Sequence, residues 1–196
     1  MRFPWLKDGF VALVQGASRG IGLETVRQLL ACEQVGRVIA TARTASVSPD
    51  LAELQGLHGD RLLLRDLDVT DAEAITALAT GLDSACDGLG LLFNVAGVLH
   101  DDTGLYPEKQ LRDVSLKQLE RSFRVNAFGP LLMAQAFAPK LLRSRHAVLA
   151  NLSARVGSLA DNRLGGWYAY RGAKAAQNMF TRNLAIELGR RSKGVC

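Results

Sequence analysis

Two groups of residues have the types and spacing that chemistry requires: a glycine-rich turn and a tyrosine–lysine pair. The turn reads Gly-Ala-Ser-Arg-Gly-Ile-Gly at 16–22 and directly follows an apolar run. Glycines let the backbone turn sharply and approach a diphosphate, and a helix starting within the turn would present free N–H groups to that anion. The spacing is neither that of a P-loop nor G-x-G-x-x-G. On the glycines alone, a tight strand-to-helix turn without a ligand is the alternative.

The second group is Tyr170 and Lys174. In a helix, residues four positions apart share a face, so the Lys174 ammonium is expected to favour the Tyr170 phenolate. A free tyrosine has a pKa of about 10 and is a poor acid–base group at neutral pH, so proton transfer requires a lower pKa. Tyr168 is a rival, but four residues after it stands Gly172. A surface pair without a function is the alternative.

The elements that must position these groups alternate along the chain. Short apolar runs followed by stretches of helical period predict an α/β fold, a Rossmann-type doubly wound parallel sheet with helices on both faces. Pro139 predicts a kink or a break near the end of the fourth helix. The irregular segment 155–166 exceeds the usual connection length, as functional or disordered loops do. The predicted strands are 10–15, 37–41, 61–67, 90–94 and 147–152, and the predicted helices are 21–32, 50–56, 71–86, 115–142 and 168–189.

The composition points away from several other classes of protein. The chain has 196 residues, 48% of them apolar, and no repeat or linker, which fits a single domain. It contains no apolar run long enough to span a membrane and no secretory signal. The net charge of +5 is spread along the chain, so no nucleic-acid partner is expected. Three scattered cysteines and three scattered histidines predict reduced thiols, no metal and a cytoplasmic protein.

Five motifs, in order, resemble those of the short-chain dehydrogenase/reductase family. The turn at 16–22 resembles its G-x-x-x-G-x-G fingerprint, and Tyr-Arg-Gly-Ala-Lys at 170–174 its Tyr-x-x-x-Lys. Between them stand Asp-Leu-Asp-Val-Thr at 66–70, Asn-Val-Ala-Gly at 94–97 in place of Asn-Asn-Ala-Gly, and Arg-Val-Asn at 124–126. The resemblance covers nearly the whole chain. The stretch 155–178 is further similar to the C-factor-like branch, a bacterial signalling protein and its relatives, through Arg-Val-Gly-Ser, Asp-Asn-Arg and Gly-Gly-Trp-Tyr-Ala-Tyr-Arg.

The resemblance implies a single dinucleotide-binding domain over 1–196 that transfers hydride between a nicotinamide cofactor and a small carbonyl or alcohol substrate. Tyr170 would be the acid/base, Lys174 its activator, and Asn126 the holder of a water in a proton relay. Asp68 would face the adenine, and Asn94 would line the cofactor side. Homodimers or tetramers, paired through helices 115–142 and 168–189, are implied as well. The implied cofactor contacts are Gly16, Ser18, Arg19, Gly20, Ile21, Gly22, Arg43, Asp68, Val69, Asn94, Ala96, Gly97, Tyr170 and Lys174.

The end of the second predicted strand favours NADP(H). An NAD enzyme of this kind places a carboxylate there to bind the ribose 2′-hydroxyl, whereas a 2′-phosphate requires arginine. The strand ends Ala-Thr-Ala-Arg at 40–43 and has no acid. Arg43 and Arg19 are predicted to hold the phosphate in charge-assisted contacts. The alternative is that Arg43 is only a solvent-facing residue at the start of a loop.

Two departures from the family pattern bear on activity. The family's catalytic serine lies three residues before a glycine, and Gly157 puts Ala154 at that position. Ser153 would replace the lost hydroxyl only if the backbone shifted, because successive residues leaving a strand point in opposite directions. Losing such a hydrogen bond typically lowers the rate by about 10² to 10³. The chain also stops at Cys196, where the family begins its sixth strand, so we expect either a fragment or a shortened protein with an exposed sheet edge.

Three hypotheses therefore stand. The first is an NADP(H)-dependent oxidoreductase that reduces carbonyls or oxidises alcohols with a Tyr–Lys pair. The second is a catalytically weak or inactive nucleotide-binding signalling protein of the C-factor type, which would explain Ala154 and the missing segment. A structural module without a nucleotide is the third and explains the fewest motifs.

Overall fold

Five parallel strands form one sheet in the order β3-β2-β1-β4-β5 in the computed structural model, which describes residues 2–82 and 86–196. The prediction of a Rossmann-type α/β fold is confirmed. Each predicted strand is present with its ends within two residues of the expected positions. The order reverses between β1 and β4, so a crevice opens at their carboxyl ends. The strands are β1 Phe10–Gln15, β2 Val35–Ala42, β3 Leu62–Asp66, β4 Leu91–Asn94 and β5 Val148–Asn151.

Helices cover both faces of the sheet because the central strands bury apolar side chains on both sides. In β1, Val14 packs against α1 and α2, and Leu13 faces the opposite core, which α3, α5 and α6 close. Phe137 of α5 is a large, fully buried side chain of that second core. The helices are α1 Gly20–Leu30, α2 Pro49–His58, α3 Ala72–Gly81, α4 Leu116–Phe123, α5 Gly129–Arg143 and α6 Tyr168–Arg191.

The predicted helix 115–142 is divided in the structure. A π-helical segment, Arg124–Phe128, separates α4 from α5. Of the kink or break predicted near Pro139, the break is wrong, since α5 continues through that residue to Arg143. Proline removes the hydrogen bond to the carbonyl four residues earlier, which here belongs to the exposed Gln135, where water can replace it. In the predicted helix 71–86, α3 ends at Gly81, and residues 83–85 lie outside the described residues.

The outer edge of β5 is paired at its amino-terminal end by the last residues of the chain. Val195 forms a parallel bridge with Ala147. The Leu149 N–H donates to the Cys196 carbonyl at 2.8 Å, and the Cys196 N–H donates to Ala147 at 3.0 Å. Residues 194–196 therefore occupy the position of a sixth parallel strand. Within the described ranges, no helix is both long and apolar enough to cross a membrane.

Candidate active site

The glycine turn fits its place only because two of its residues lack side chains. Gly16 has φ +87°, and a Cβ there would lie 2.5 Å from the Ala96 nitrogen. A Cβ on Gly22 would lie 2.1 Å from the Gly16 carbonyl oxygen. The N–H groups of Gly16 and Ala17 both donate to the Thr41 carbonyl, at 2.8 and 2.9 Å. The turn is thereby fixed between the end of β2 and the segment after β4, in the crevice where the strand order reverses.

The amino terminus of α1 opens into this crevice. Its N-cap residue, Arg19, is extended and forms no side-chain cap, and Leu23 is the first residue of the helix whose N–H bonds back, to Arg19 at 3.3 Å. Gly20 has φ +54° with open space around it, and Ile21 is 58% exposed. Because the first N–H groups of a helix need acceptors and carry a partial positive charge, this terminus fits an anion such as a pyrophosphate.

Two arginines lie beside the turn. Arg19 is in the turn and Arg43 directly follows β2, and both are exposed. Across residues 2–82 and 86–196, neither forms an ion pair with a carboxylate. The Asp66 carboxylate, at the end of β3, accepts from the Ser46 N–H at 2.8 Å and from its hydroxyl at 2.7 Å. These hydrogen bonds lower the pKa of Asp66 and tie the loop after β2 to β3.

The predicted adenine-side residues follow β3. The exposed Asp68 accepts from the N–H and the hydroxyl of Thr70, both at 2.8 Å, so its carboxylate is ordered by the turn that follows the strand. Val69 is 6% exposed and packs against Gly129, where a Cβ would lie 3.0 Å from the valine side chain. The Val69 side chain is therefore part of the second core. Ser18, also predicted as a contact, is half-buried in the glycine turn.

Asn94 links two strands of the sheet, a role that was not predicted from the sequence. Its side chain is 1% exposed, and its Nδ2 donates to Asn151 Oδ1 at 2.8 Å, which ties β4 to β5. Ala96 follows, and its N–H donates to Gln15 Oε1 at 3.2 Å, which ties the same segment to β1. The segment after β4 is therefore held by both neighbouring strands.

Three of the predicted site residues, Gly97, Asn126 and Lys174, lie close together. A Cβ on Gly97 would lie 3.1 Å from Asn126 Oδ1 and 3.7 Å from Lys174 Nζ. Asn126 is fully buried in the π-helical segment, and its Nδ2 donates to the Val98 carbonyl at 2.8 Å. The Val98 N–H donates back to Asn126 Oδ1 at 2.9 Å. The π-helical segment and α6 thus meet the backbone after β4 at one point.

Lys174 is buried beside Tyr170. Its Nζ lies 5.9 Å from the Tyr170 ring centroid and donates to the Leu152 carbonyl at 2.8 Å and to Gln177 Oε1 at 2.9 Å. Burial lowers the pKa of Lys174 from 10.5 to about 8. Gln177 was not predicted from the sequence, although a glutamine within the apolar face of a helix, three residues after a candidate lysine, was a signal.

The expectation of a lowered tyrosine pKa is wrong for the chain alone. Burial raises the pKa of Tyr170 above 10.0. The physical reason is that the ring is half-buried, whereas the Lys174 ammonium is directed to Leu152 and Gln177. In the unliganded protein Tyr170 is therefore a protonated phenol at neutral pH.

The hydroxyl of Ser153, the expected substitute for the one that Ala154 lacks, forms a hydrogen bond to a residue of α6. Ser153 turns its hydroxyl to Asn178 Oδ1, at 2.6 Å. Asn178 lies eight residues beyond Tyr170, which is about 12 Å along the axis of α6. The structure therefore gives no support to Ser153 as a replacement for the hydroxyl that Ala154 lacks.

Comparison with known proteins places this geometry among dehydrogenases. The sequence profile described as short chain dehydrogenase matches residues 10–195. The C-signal protein of Myxococcus xanthus is 40% identical over 106 residues, which cover 54% of this chain and 60% of that protein. Matched segments span 60, 67 and 71% of the lengths of three relatives.

Solved structures agree with the profile. The carbonyl reductase Sniffer of D. melanogaster superposes with a TM-score of 0.84 at 26% identity, covering 93% of this chain and 76% of that chain. The NADPH-bound carbonyl reductase from chicken fatty liver gives a TM-score of 0.81 at 33% identity, covering 97% of this chain and 77% of that chain. The fold is thus shared with two solved carbonyl reductases.

Proposed function

Because this chain belongs to the short chain dehydrogenase family, we propose that it is an NADP(H)-dependent oxidoreductase that reduces a small carbonyl compound or oxidises the corresponding alcohol. The observation that carries the proposal is the meeting of Asn126 and Lys174 at Gly97, between the glycine turn and Tyr170. A turn alone would serve any nucleotide-binding protein. A turn joined through a packed backbone to a buried acid–base pair fits redox chemistry on a bound cofactor.

In this proposal the cofactor, when bound, supplies or accepts the hydride. Tyr170, which burial keeps protonated at neutral pH in the protein alone, donates its phenolic proton to the carbonyl oxygen, and because burial raises its pKa, the phenolate that forms needs stabilisation. Lys174 uses two of its three N–H groups on Leu152 and Gln177, so one remains for the site. With a pKa of about 8, it is mostly protonated at neutral pH and stabilises the phenolate that forms.

The preference for NADP(H) is proposed from Arg19 and Arg43, which are exposed beside the turn. Arg43→Ala should weaken NADPH binding by about tenfold or more, because a charge-assisted hydrogen bond to the 2′-phosphate is lost, and should leave NADH binding nearly unchanged. Tryptophan fluorescence on titration with each cofactor measures both affinities. Arg182→Ala, an exposed arginine on α6, is the control. Equal losses for the two cofactors would contradict the assignment.

Ala154 favours a second candidate, a weakly active or inactive nucleotide-binding signalling protein of the C-factor type. The similarity to the C-signal protein supports it as well. Without an oriented hydroxyl, the reacting oxygen loses a transition-state hydrogen bond. In the second candidate, the cofactor would be bound and not turned over.

A single set of assays separates the candidates. Purified protein is mixed with NADPH and a panel of small ketones and aldehydes while the absorbance of the reduced cofactor is followed. We expect slow turnover that Tyr170→Phe abolishes and that Ala154→Ser raises by about 10² to 10³. NADPH binding without turnover in both the wild type and Ala154→Ser would instead establish the second candidate.

A further inference from the structure

Glu108 is a buried acid that joins two loops of the site. It lies in the segment between β4 and α4 and is only 3% exposed. Its Oε2 accepts from the Ala169 N–H at 3.2 Å, and its backbone carbonyl accepts from the Trp167 N–H at 2.5 Å. Glu108 therefore holds the first turn of α6 by its side chain and the residue before that helix by its backbone.

The start of α6 needs this support. Its N-cap residue, Trp167, has φ +51° and supplies no side-chain acceptor, and Gly165 and Gly166 before it both have φ +65°. A helix entered through three left-handed residues has free N–H groups in its first turn and no cap of its own. A carboxylate is the group that best satisfies those N–H groups, and it also complements the helix dipole.

The fit between the two segments is close. A Cβ on Gly166 would lie 3.1 Å from the Glu108 carbonyl oxygen. The second carboxylate oxygen, Oε1, is buried and has no hydrogen-bond partner within residues 2–82 and 86–196. A buried acid left half-satisfied lowers stability, and a role in positioning the site would explain why it is present.

We propose that Glu108 is a positioning residue for Tyr170: by capping α6 from the neighbouring loop, it fixes the helix turn that carries the phenol against the substrate. Tyr170 directly follows Ala169, the residue that Glu108 holds. The glycine turn follows β1, whereas the cap holds the first turn of α6. We therefore expect the cap to act on the proton-transfer step and not on cofactor binding. This inference rests on the proposed function.

The test compares Glu108→Ala with Glu108→Gln in the full chain. Glutamine keeps an oxygen acceptor for the Ala169 N–H, and alanine removes it. We expect Glu108→Ala to lower kcat about 10- to 100-fold with the KM for NADPH unchanged, since a small displacement of an acid–base group has effects of that size. Glu108→Gln should restore most of kcat. Asp113→Ala is the control, because that carboxylate accepts from Lys109 and Gln110 within the same loop.

Three outcomes overturn the proposal. They are an unchanged kcat in Glu108→Ala, a loss that Glu108→Gln does not restore, and a loss that Asp113→Ala reproduces. Amide hydrogen exchange over residues 167–172 separates this failure from that of the proposed function. If the wild type reduces no carbonyl, faster exchange in Glu108→Ala that Glu108→Gln reverses still establishes the cap, and unchanged exchange refutes it.

Discussion

At the scale of single residues, the surroundings of Lys174 determine what it can do. Its ammonium is buried, which disfavours the charged form and lowers the pKa to about 8. Its hydrogen bonds to Leu152 and Gln177 favour the charged form. The pKa of Lys174 therefore lies close to physiological pH, and a change in one hydrogen bond shifts that pKa.

Gln177 offers a direct test of this balance. In Gln177→Leu the ammonium loses an acceptor, so the pKa of Lys174 falls further, and the loss of kcat that starts near pH 8 should move to lower pH. Gln177→Glu adds a negative charge, raises that pKa and should move the loss to higher pH. The measurement is kcat for carbonyl reduction as a function of pH.

Asn183→Leu, an exposed substitution on the same helix, is the control and should leave the profile in place. Identical profiles for the two Gln177 variants would show that the ionisation seen in kcat is not that of Lys174.

Part of this candidate site could be predicted from the sequence. Tyr170, Lys174 and Asn126 were predicted because their motifs stand in a recognisable order. Gln177 and Glu108 were not, because their partners come from tertiary contacts: Gln177 needs the lysine buried on its helix, and Glu108 reaches α6 across 61 positions of sequence. The direction of the Tyr170 pKa was wrong for the same reason, since burial is not visible in a four-residue spacing.

At the scale of elements, the β1–α1 turn depends on a contact between two backbones. A Cβ on Gly22 would lie 2.1 Å from the Gly16 carbonyl, and no flexible side chain is there to move away. Gly22→Ala should therefore lower the free energy of unfolding by about 1–3 kcal/mol. It should also weaken NADPH binding, because the turn and the helix terminus must separate. Urea unfolding and a fluorescence titration measure the two effects.

Gly20→Ala is the matched variant, two residues away in the same turn. A Cβ there meets nothing within 4 Å, although φ is +54°. The expected cost is about 1 kcal/mol of backbone strain, and the path of the turn is kept. If both variants weakened NADPH binding equally, close packing of Gly22 on Gly16 would not be the reason for the glycine.

The helices and strands that could be predicted are those that a single local sequence pattern determines. Apolar runs located all five strands, and the central strand β1 is buried along nearly its whole length, as parallel strands covered on both faces are. The π-helical segment was not predictable, since its position coincides with long-range contacts: Asn126 reaches Val98, and Gly129 packs on Val69. The helix break that Pro139 suggested does not form, because the carbonyl that this proline leaves unpaired belongs to an exposed residue.

At the scale of the whole molecule, α6 lies between the second core and the surface. Five apolar residues of α6 share its apolar face: Ala173 and Leu188 are buried, and Ala176, Phe180 and Leu184 are only half-buried. Packing within the chain therefore accounts for part of this face. Pairing of subunits through the remainder stays a proposal taken from the family.

The strand order also bears on how the protein folds. Ala12 of β1 pairs with Val38 in β2 and with Leu91 in β4. Closing the longer loop costs roughly 1 kcal/mol more chain entropy than closing the shorter one. During synthesis, β1, β2 and β3 emerge first and can pair before β4 has left the ribosome. Since Ala96 lies beyond β4, the crevice is completed only when that strand adds to the free edge of β1, and a nascent chain gains its nucleotide site late in folding.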